Sequence, residues 1–337
     1  MVAQTMSSPP IQTLTLTSIS KILSHLPQGN PCESPRANKA AADKAVRLAL
    51  DDNQASALVQ FGLGQHPWLI LRTGLDLSSL CETPLGFAPV ADPSWWQMAW
   101  ITIGAMSIAG ASLVSYKCEN DGAAFVNLVA LPPNPNQARA VEKSGKKMRG
   151  HTDAVAFPFP SEYERGGEPH SPSPDFWVLL GLRNPDNVPT KLAPVSLLLE
   201  KLDGEQEEAL RGDNFSIGAQ RTFQTKFARA DAPLLSDAEP LGLAFRFSHS
   251  EVAPREDKSP QATAAYGAII DALPDLYADV PIQPGDICLV NNRTVIHGRG
   301  APGNASGGQT RWLLRTYGYA KGTRGDPIDD ASPHIHR

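Results

Sequence analysis

The chain has 337 residues, a formal net charge of -5 and a hydrophobic fraction of 41%. This composition excludes a disordered or membrane-embedded protein, and the mild acidic excess gives no electrostatic reason to expect nucleic acid or a membrane surface as a partner. The 30 prolines and 27 glycines predict many turns and few long helices, which favours a β-rich body.

The first 35 residues are rich in Ser, Thr and Pro, and we expect residues 1–35 to form a loosely ordered arm. They contain no basic segment followed by an apolar core, so the sequence predicts no signal peptide. The four cysteines are Cys32, Cys81, Cys118 and Cys288. Their wide spacing matches neither a disulfide framework nor a metal motif, which favours a cytoplasmic protein.

A helical layer is predicted next along the chain. Residues 38–59 combine Ala, Leu and Val with interspersed charges, which is typical of an amphipathic helix. Residues 67–72 form a short apolar run that predicts a buried strand. A second helix is expected over residues 95–108, after the helix-starting residues Asp92, Pro93 and Ser94.

From about residue 112 the chain consists of short apolar segments separated by turn residues. The clearest segments are residues 124–131, 176–182, 286–290 and 311–317. Repeated short strands predict a sandwich or barrel rather than βαβ units.

One helix is expected to interrupt these strands, from a Ser259 cap to Leu273. No linker divides the chain. We therefore expect a single domain over residues 36–330, with a helical layer packed on the β core, followed by a C-terminal tail over residues 331–337.

Three residues are candidates for metal ligands. His151 and Asp153 are two residues apart, and on a strand both side chains would point to the same face. His297 follows an apolar strand and precedes Gly298, where the backbone can approach closely. Two neutral imidazoles and one carboxylate on one face of an ion leave three positions open, as in non-haem Fe(II) oxygenases.

Two arginines, Arg311 and Arg315, follow four residues apart and fall on one face of a predicted strand. A chelating 2-oxo acid would fill two open positions on the iron and O2 the third. A guanidinium that forks onto the distal carboxylate would fix the pose of this acid.

Residues 291–302, Asn-Asn-Arg-Thr-Val-Ile-His-Gly-Arg-Gly-Ala-Pro, carry the strongest resemblance to a known family. They are similar to the signature of the clavaminate synthase-like branch of the TauD-type Fe(II)/2-oxoglutarate-dependent oxygenases. Arg311 follows His297 by fourteen residues, which is the family's spacing. Weaker similarity extends over residues 60–320.

This resemblance implies a mainly β fold with flanking helices around a double-stranded β-helix (jelly-roll, cupin-like) core. It also implies roles for particular residues of this sequence. The implied roles are Fe(II) ligation by His151, Asp153 and His297, 2-oxoglutarate binding by Arg311 and Thr190, binding of a substrate or cosubstrate carboxylate by Arg315, and substrate-facing positions for Asn127 and Glu119.

The implied reaction consumes 2-oxoglutarate and O2, releases succinate and CO2, and hydroxylates an unactivated C–H bond of a small amino-acid-derived metabolite. Relatives act in specialised-metabolite pathways, such as antibiotic biosynthesis, on free amino acids or on cyclic dipeptides (diketopiperazines). Amino-acid hydroxylases of the family usually carry Glu in place of Asp153, and the shorter side chain reaches less far toward an α-ammonium group. Together with the apolar residues 154–159, this favours the cyclic class.

A second departure concerns the pocket. Pro302 replaces a bulky aromatic residue and changes the predicted pocket rim. A carboxylate at position 153 leaves no vacancy for halide, which disfavours a halogenase.

Several alternatives remain open on the sequence. Desaturation or epoxidation would use the same cofactors, since they differ from hydroxylation by small shifts in substrate position. A zinc hydrolase with a His/Asp/His site and a non-catalytic β-barrel binding protein are the rival classes. The sequence contains no GxSxG and no P-loop. The expected partner is a small molecule, and no motif indicates an oligomeric state.

Overall fold

Two mainly antiparallel β-sheets pack against each other at the centre of the computed structural model, which describes residues 12–337. The helices of these residues are α1 Ile19–Leu23, α2 Lys39–Arg47, α3 Asp52–Gly62, α4 Trp96–Ile108, α5 Ala138–Gly145, α6 Pro160–Glu164, α7 Val195–Leu199, α8 Gly204–Arg211 and α9 Pro260–Leu276. None of them is long and apolar enough to cross a bilayer.

Seventeen strands are described in these residues, most of them after residue 112. They are β1 Thr13–Thr15, β2 Trp68–Arg72, β3 Ser112–Tyr116, β4 Val126–Leu128, β5 Met148–His151, β6 Phe176–Arg183, β7 Thr190–Pro194, β8 Phe215–Ile217, β9 Arg229–Ala232, β10 Leu235–Glu239, β11 Gly242–Phe245, β12 Val252–Pro254, β13 Ala278–Val280, β14 Asp286–Asn291, β15 Val295–Arg299, β16 Trp312–Tyr319 and β17 Ile335–His336.

The large sheet has the strand order β1-β2-β14-β6-β16-β3-β17, with β4 also paired to β16. Its central strands are apolar on both faces, because helices cover one face and the second sheet covers the other. On β16, Leu314 packs into the core under the helices. Leu313 and Tyr317 point the opposite way, into the space between the sheets.

The small sheet has the order β13-β7-β15-β5, and all its pairs are antiparallel. Leu192 and Val295 of this sheet pack with Leu179 and Leu313 of the large sheet in one buried cluster. Two facing, mainly antiparallel sheets with helices outside are the predicted jelly-roll architecture, so the fold prediction is confirmed.

The prediction of a loose N-terminal arm is wrong for residues 12–35, while residues 1–11 lie outside the described residues. Strand β1 pairs in parallel with β2 at the edge of the large sheet. Leu14, Leu16 and Ile22 are buried against the core. These few apolar side chains cover the sheet edge, although the surrounding sequence is polar.

The predicted C-terminal tail is also wrong, because its last residues form a strand. Strand β17 pairs in parallel with β3, and the Ser115 and Lys117 amides donate to the carbonyls of His334 and His336 at 2.8 Å each. Both histidine side chains are buried.

Three other expectations need adjustment. The single helix predicted over residues 38–59 is two helices, because Asp51 caps α3 by accepting a hydrogen bond from the Gln54 amide at 2.8 Å. Helix α9 continues past Pro274 to Leu276. The large sheet also begins well before residue 112, with β1 and β2.

Two helical glycines give a matched test of this packing. A Cβ on Gly104 of α4 would lie 2.5 Å from the Ala42 carbonyl oxygen of α2, whereas one on Gly267 of α9 would meet nothing within 4 Å. We expect Gly267→Ala to raise the free energy of unfolding by about 0.5–1 kcal/mol. Gly104→Ala should lower it by about 1–3 kcal/mol through overpacking. Denaturant unfolding measures both, and equal effects would contradict the close approach of α2 and α4.

Candidate metal centre

The first candidate ligand, His151, is the last residue of β5. Its Nδ1 donates to the Arg149 carbonyl at 3.0 Å, which leaves the lone pair on Nε2. That Nε2 lies 3.7 Å from Asp153 Oδ1. The backbone therefore orients the imidazole toward the carboxylate.

Asp153 lies in a turn after β5 and not on the strand, contrary to the expectation of a shared strand face. The next residue, Ala154, has a φ of 56°, a conformation that non-glycine residues adopt only where surrounding contacts impose it. The Asn292 side chain supplies such contacts. Its Oδ1 accepts from the Asp153 amide at 2.9 Å, and its Nδ2 donates to the Asp153 carbonyl at 3.1 Å.

A second side-chain amide holds the same turn from its other side. Gln220 Nε2 donates to the Thr152 carbonyl at 2.9 Å, and its Oε1 accepts from the Val155 amide at 3.2 Å. The spacing of the two candidate ligands gave no sign of either amide. Asn292 lies within the recognised segment 291–302, whereas Gln220 has no signal in the sequence.

His297, on β15, lies directly opposite His151 in the pairing of β15 with β5. Its ring stacks on Trp177 with centroids 4.2 Å apart. Its Nε2 lies 3.6 Å from Asp153 Oδ2. One ligand atom from each of the three residues falls within 4.8 Å of the others, so the structure brings the predicted triad together.

The protonation states suit metal binding. Burial lowers the pKa of His297 to about 3 and also lowers the pKa of His151, so both imidazoles are neutral near pH 7. Burial alone would raise the pKa of Asp153, but His297, Arg315 and His151 hold it below its usual value.

The donor set fits a divalent ion such as Fe(II). Asp153 Oδ2 is buried and has no hydrogen-bond partner among the described residues. Ligands at about 2.0–2.2 Å from an ion lie about 3–3.5 Å apart, close to the observed separations. Two neutral imidazoles and a carboxylate are the ligands of a facial triad.

Arg311 lies just before β16 and is 5% exposed. Its guanidinium makes no hydrogen bond and no ion pair with any described residue, and its Nε is fully buried. Burial, aided by the neighbouring Arg299, lowers its pKa to about 9. A buried cation without a counter-ion indicates a site for an anionic ligand.

Thr190, the other predicted cosubstrate residue, lies opposite Arg299 in the pairing of β7 with β15. The Arg299 guanidinium is held by three carbonyl groups, those of Lys143, Ser144 and Lys146, at 2.8–3.2 Å. Thr190 is therefore beside a fixed cation in the same small sheet that carries His297.

Arg315 and Glu119 form a buried salt bridge of 2.6 Å. Burial alone would lower the pKa of Arg315, but Glu119 raises it above its usual value. Burial raises the pKa of Glu119, and Arg315 opposes that rise. Both residues interact electrostatically with Asp153, so the structure places this pair of opposite charges beside the candidate ligands.

Asn127 does not contribute a free polar group, contrary to its predicted substrate-facing position. Its Nδ2 donates to the carbonyls of Gly86 and Ala88 at 3.1 and 2.5 Å. Its Oδ1 accepts from Trp312 Nε1 at 2.9 Å. The amide is fully buried and joins the loop before α4 to β16.

Two buried asparagines with the same bonding pattern test the support of Asp153. Asn292 and Asn184 each donate to two backbone carbonyls and accept from one backbone amide. We expect either change to Ala to lower the free energy of unfolding by about 1–3 kcal/mol, because buried backbone groups lose their partners. Only Asn292→Ala should also weaken metal binding, by about 10–100-fold. Equal metal affinities of the two folded variants, measured by titration, would contradict this role of Asn292.

Comparisons with known proteins agree with this geometry. Residues 153–317 match the model of the family described as taurine catabolism dioxygenase TauD, TfdA family. An asparagine oxygenase, solved with Fe(II), (2S,3S)-3-hydroxyasparagine and succinate, is 21% identical, with a TM-score of 0.71 over 90% of this chain and 92% of its own. The non-haem iron oxygenase OrfP, solved with Fe, succinate and (3S)-hydroxy-L-Arg, is 19% identical, with a TM-score of 0.74 over 98% and 100%.

The structural matches establish the shared fold, and the family match covers residues 153–317, which leave out the candidate ligand His151. The matched segment contains Asp153, His297, Arg311 and Arg315. Residues 153–317 therefore match the TauD/TfdA family of dioxygenases, and the rest of the chain shares the fold of the solved oxygenases.

Proposed function

We propose that this chain is an Fe(II)- and 2-oxoglutarate-dependent dioxygenase that hydroxylates a C–H bond of a free amino acid. The observation that carries the proposal is the combination of a metal-competent triad, His151, Asp153 and His297, with a buried guanidinium at Arg311 that has no partner. The triad alone would also fit a zinc site, and it is the guanidinium, placed to bind a second carboxylate, that favours 2-oxoglutarate.

The cosubstrate assignment follows from charge. 2-Oxoglutarate carries a chelating 2-oxo acid at one end and a carboxylate at the other. Arg311 is placed to bind the distal carboxylate, since a guanidinium can donate two parallel hydrogen bonds to it. The solved complexes of OrfP with Fe and α-ketoglutaric acid and of asparagine oxygenase with succinate support this assignment.

The residues of this chain would position the reactants and exclude water. When bound, Fe(II) supplies the activation of O2: one oxygen atom enters succinate as CO2 leaves, and the other enters the substrate C–H bond. The apolar side chains of Trp177, Leu179, Leu192 and Leu313 line the space between the sheets and restrict access of water. The neutral imidazoles and the ionised Asp153 would hold the metal without any prior proton transfer.

The substrate class is inferred from the salt bridge of Arg315 and Glu119. A free amino acid carries a carboxylate that suits Arg315 and an ammonium group that suits Glu119, whereas a cyclic dipeptide carries neither charge. Two of the apolar residues that favoured the cyclic class on the sequence lie outside the space between the sheets. Val155 and Ala156 are buried in the core around α9, and Ala154 and Phe157 are buried between the sheets.

Loss of a ligand or of the anchor should change the cofactor complex in different ways. An anaerobic titration of the wild-type protein with Fe(II) and then 2-oxoglutarate should give a weak visible charge-transfer band. His297→Ala should give no band at any concentration, because the triad is incomplete. Arg311→Ala should give the band only at about 10–100-fold higher 2-oxoglutarate, since it loses a charge-assisted bidentate contact.

The same titration distinguishes the proposed dioxygenase from a zinc hydrolase and from a binding protein. A metal-loaded, folded wild-type protein without the band would contradict the proposed function and support a zinc hydrolase or a binding protein. A band in Arg311→Ala at an unchanged 2-oxoglutarate concentration would move the anchor to another cation, first to Arg315.

A substrate panel tests the amino-acid assignment. We expect the free L-amino acids, and not cyclic dipeptides, to stimulate succinate release. Glu119→Gln should raise the KM of the best amino acid by about 10-fold or more, because the ammonium group loses a charged partner. Mass spectrometry of the product should show the gain of one oxygen. Loss of two hydrogens would indicate a desaturase, and stimulation by cyclic dipeptides alone would contradict the use of Arg315 and Glu119.

A further inference from the structure

One buried hydroxyl group beside the candidate metal ligands has no partner. Tyr317 lies on the inner face of β16 and is 3% exposed. Its Oη makes no hydrogen bond with any described residue. A buried phenol normally finds a hydrogen-bond partner, so this exception calls for a physical reason.

The surroundings place this phenol in the site. The guanidinium carbon of Arg315 lies 4.5 Å from the centre of its ring. Tyr317 is also opposite Trp177 in the pairing of β16 with β6, and the Trp177 ring stacks on His297. The hydroxyl faces the carboxyl groups of Asp153 and Glu119: its partly positive hydrogen helps to lower the pKa of Asp153 and opposes the rise that burial causes in the pKa of Glu119, although neither contact has hydrogen-bond geometry.

Two neighbouring tyrosines in the same cluster show how a buried hydroxyl with a structural role is hydrogen-bonded. The hydroxyls of Tyr116 and Tyr319 both donate to the Pro172 carbonyl at 2.6 Å. All three rings are buried between the sheets. Only Tyr317 keeps an unpaired hydroxyl, where a phenylalanine would fill the same space without leaving a polar group unsatisfied. A buried polar group that lowers the stability of the fold and forms no structural hydrogen bond is typical of a binding site.

We propose that the Tyr317 hydroxyl is a substrate contact, which accepts a hydrogen bond from the ammonium group of the amino acid and donates one to the Asp153 carboxylate. This inference rests on the proposed function and extends it. A phenol both donates and accepts, so it suits a position between a cation and an anion. Tyr317 would thus join Arg315 and Glu119 in binding the charged head group, and it would link the presence of that group to the metal ligand Asp153.

The test compares Tyr317→Phe with Tyr319→Phe. For the metal-free proteins we expect Tyr317→Phe to keep or raise the Tm, because it removes an unpaired polar group, whereas Tyr319→Phe should lower it. A drop in Tm for Tyr317→Phe as large as that for Tyr319→Phe would overturn the proposal, because it would reveal a structural partner. This readout needs neither substrate nor cofactor.

The KM for the amino acid is the second measurement. With the L-amino acid that gives most succinate in the wild type, Tyr317→Phe should raise KM by about 10-fold or more and leave the charge-transfer band and the 2-oxoglutarate requirement unchanged. With the corresponding acid that lacks the amino group, wild type and variant should bind alike. An unchanged KM, or an equal loss with the des-amino acid, would overturn the proposal. A wild type that forms no band would instead overturn the proposed function itself.

Discussion

The candidate metal centre depends on one short turn, which carries the Asp153 carboxylate to a position between two imidazoles on neighbouring strands. His151 and His297 are already opposite each other, because β5 and β15 are paired. The turn between β5 and α6 must then accept a positive φ at Ala154, and the amides of Asn292 and Gln220 fix it there. The pairing of β5 with β15 determines the positions of the two imidazoles, and the side-chain amides determine the position of the carboxylate.

Buried charges are paired next to the site, whereas several polar groups at the site itself have no partner among the described residues. Arg293 pairs with Asp175 at 3.0 Å and also donates to Ser173, although these side chains are buried. In contrast, Arg311, Asp153 Oδ2 and the Tyr317 hydroxyl are buried without hydrogen-bond partners among the described residues. The chain can satisfy buried charges with its own residues, so the unpaired groups define the space that ligands complete.

Much of the fold and of the candidate site could be predicted from the sequence, since local sequence patterns determine these parts. The apolar runs of β6, β14 and β16 and the spacing of His297 and Arg311 identified the strands, the triad and the family. Long-range pairing decided the rest: the edge strands β1 and β17 lie in polar sequence and form only because β2 and β3 offer unpaired edges. Likewise, no local sequence pattern shows that the side-chain amide of Asn127 is hydrogen-bonded to Trp312 and to two backbone carbonyls.

The salt bridge of Arg315 and Glu119 explains how the site could select a zwitterion. In the absence of substrate the two buried charges satisfy each other at 2.6 Å. An amino acid can replace that contact with two new ones, carboxylate to guanidinium and ammonium to carboxylate, so no buried charge is left alone. A ligand with only one of the two charges would leave the other partner unpaired, at a cost in affinity. Discrimination then comes from the buried pair itself, and the apolar walls between the sheets need only accommodate the side chain.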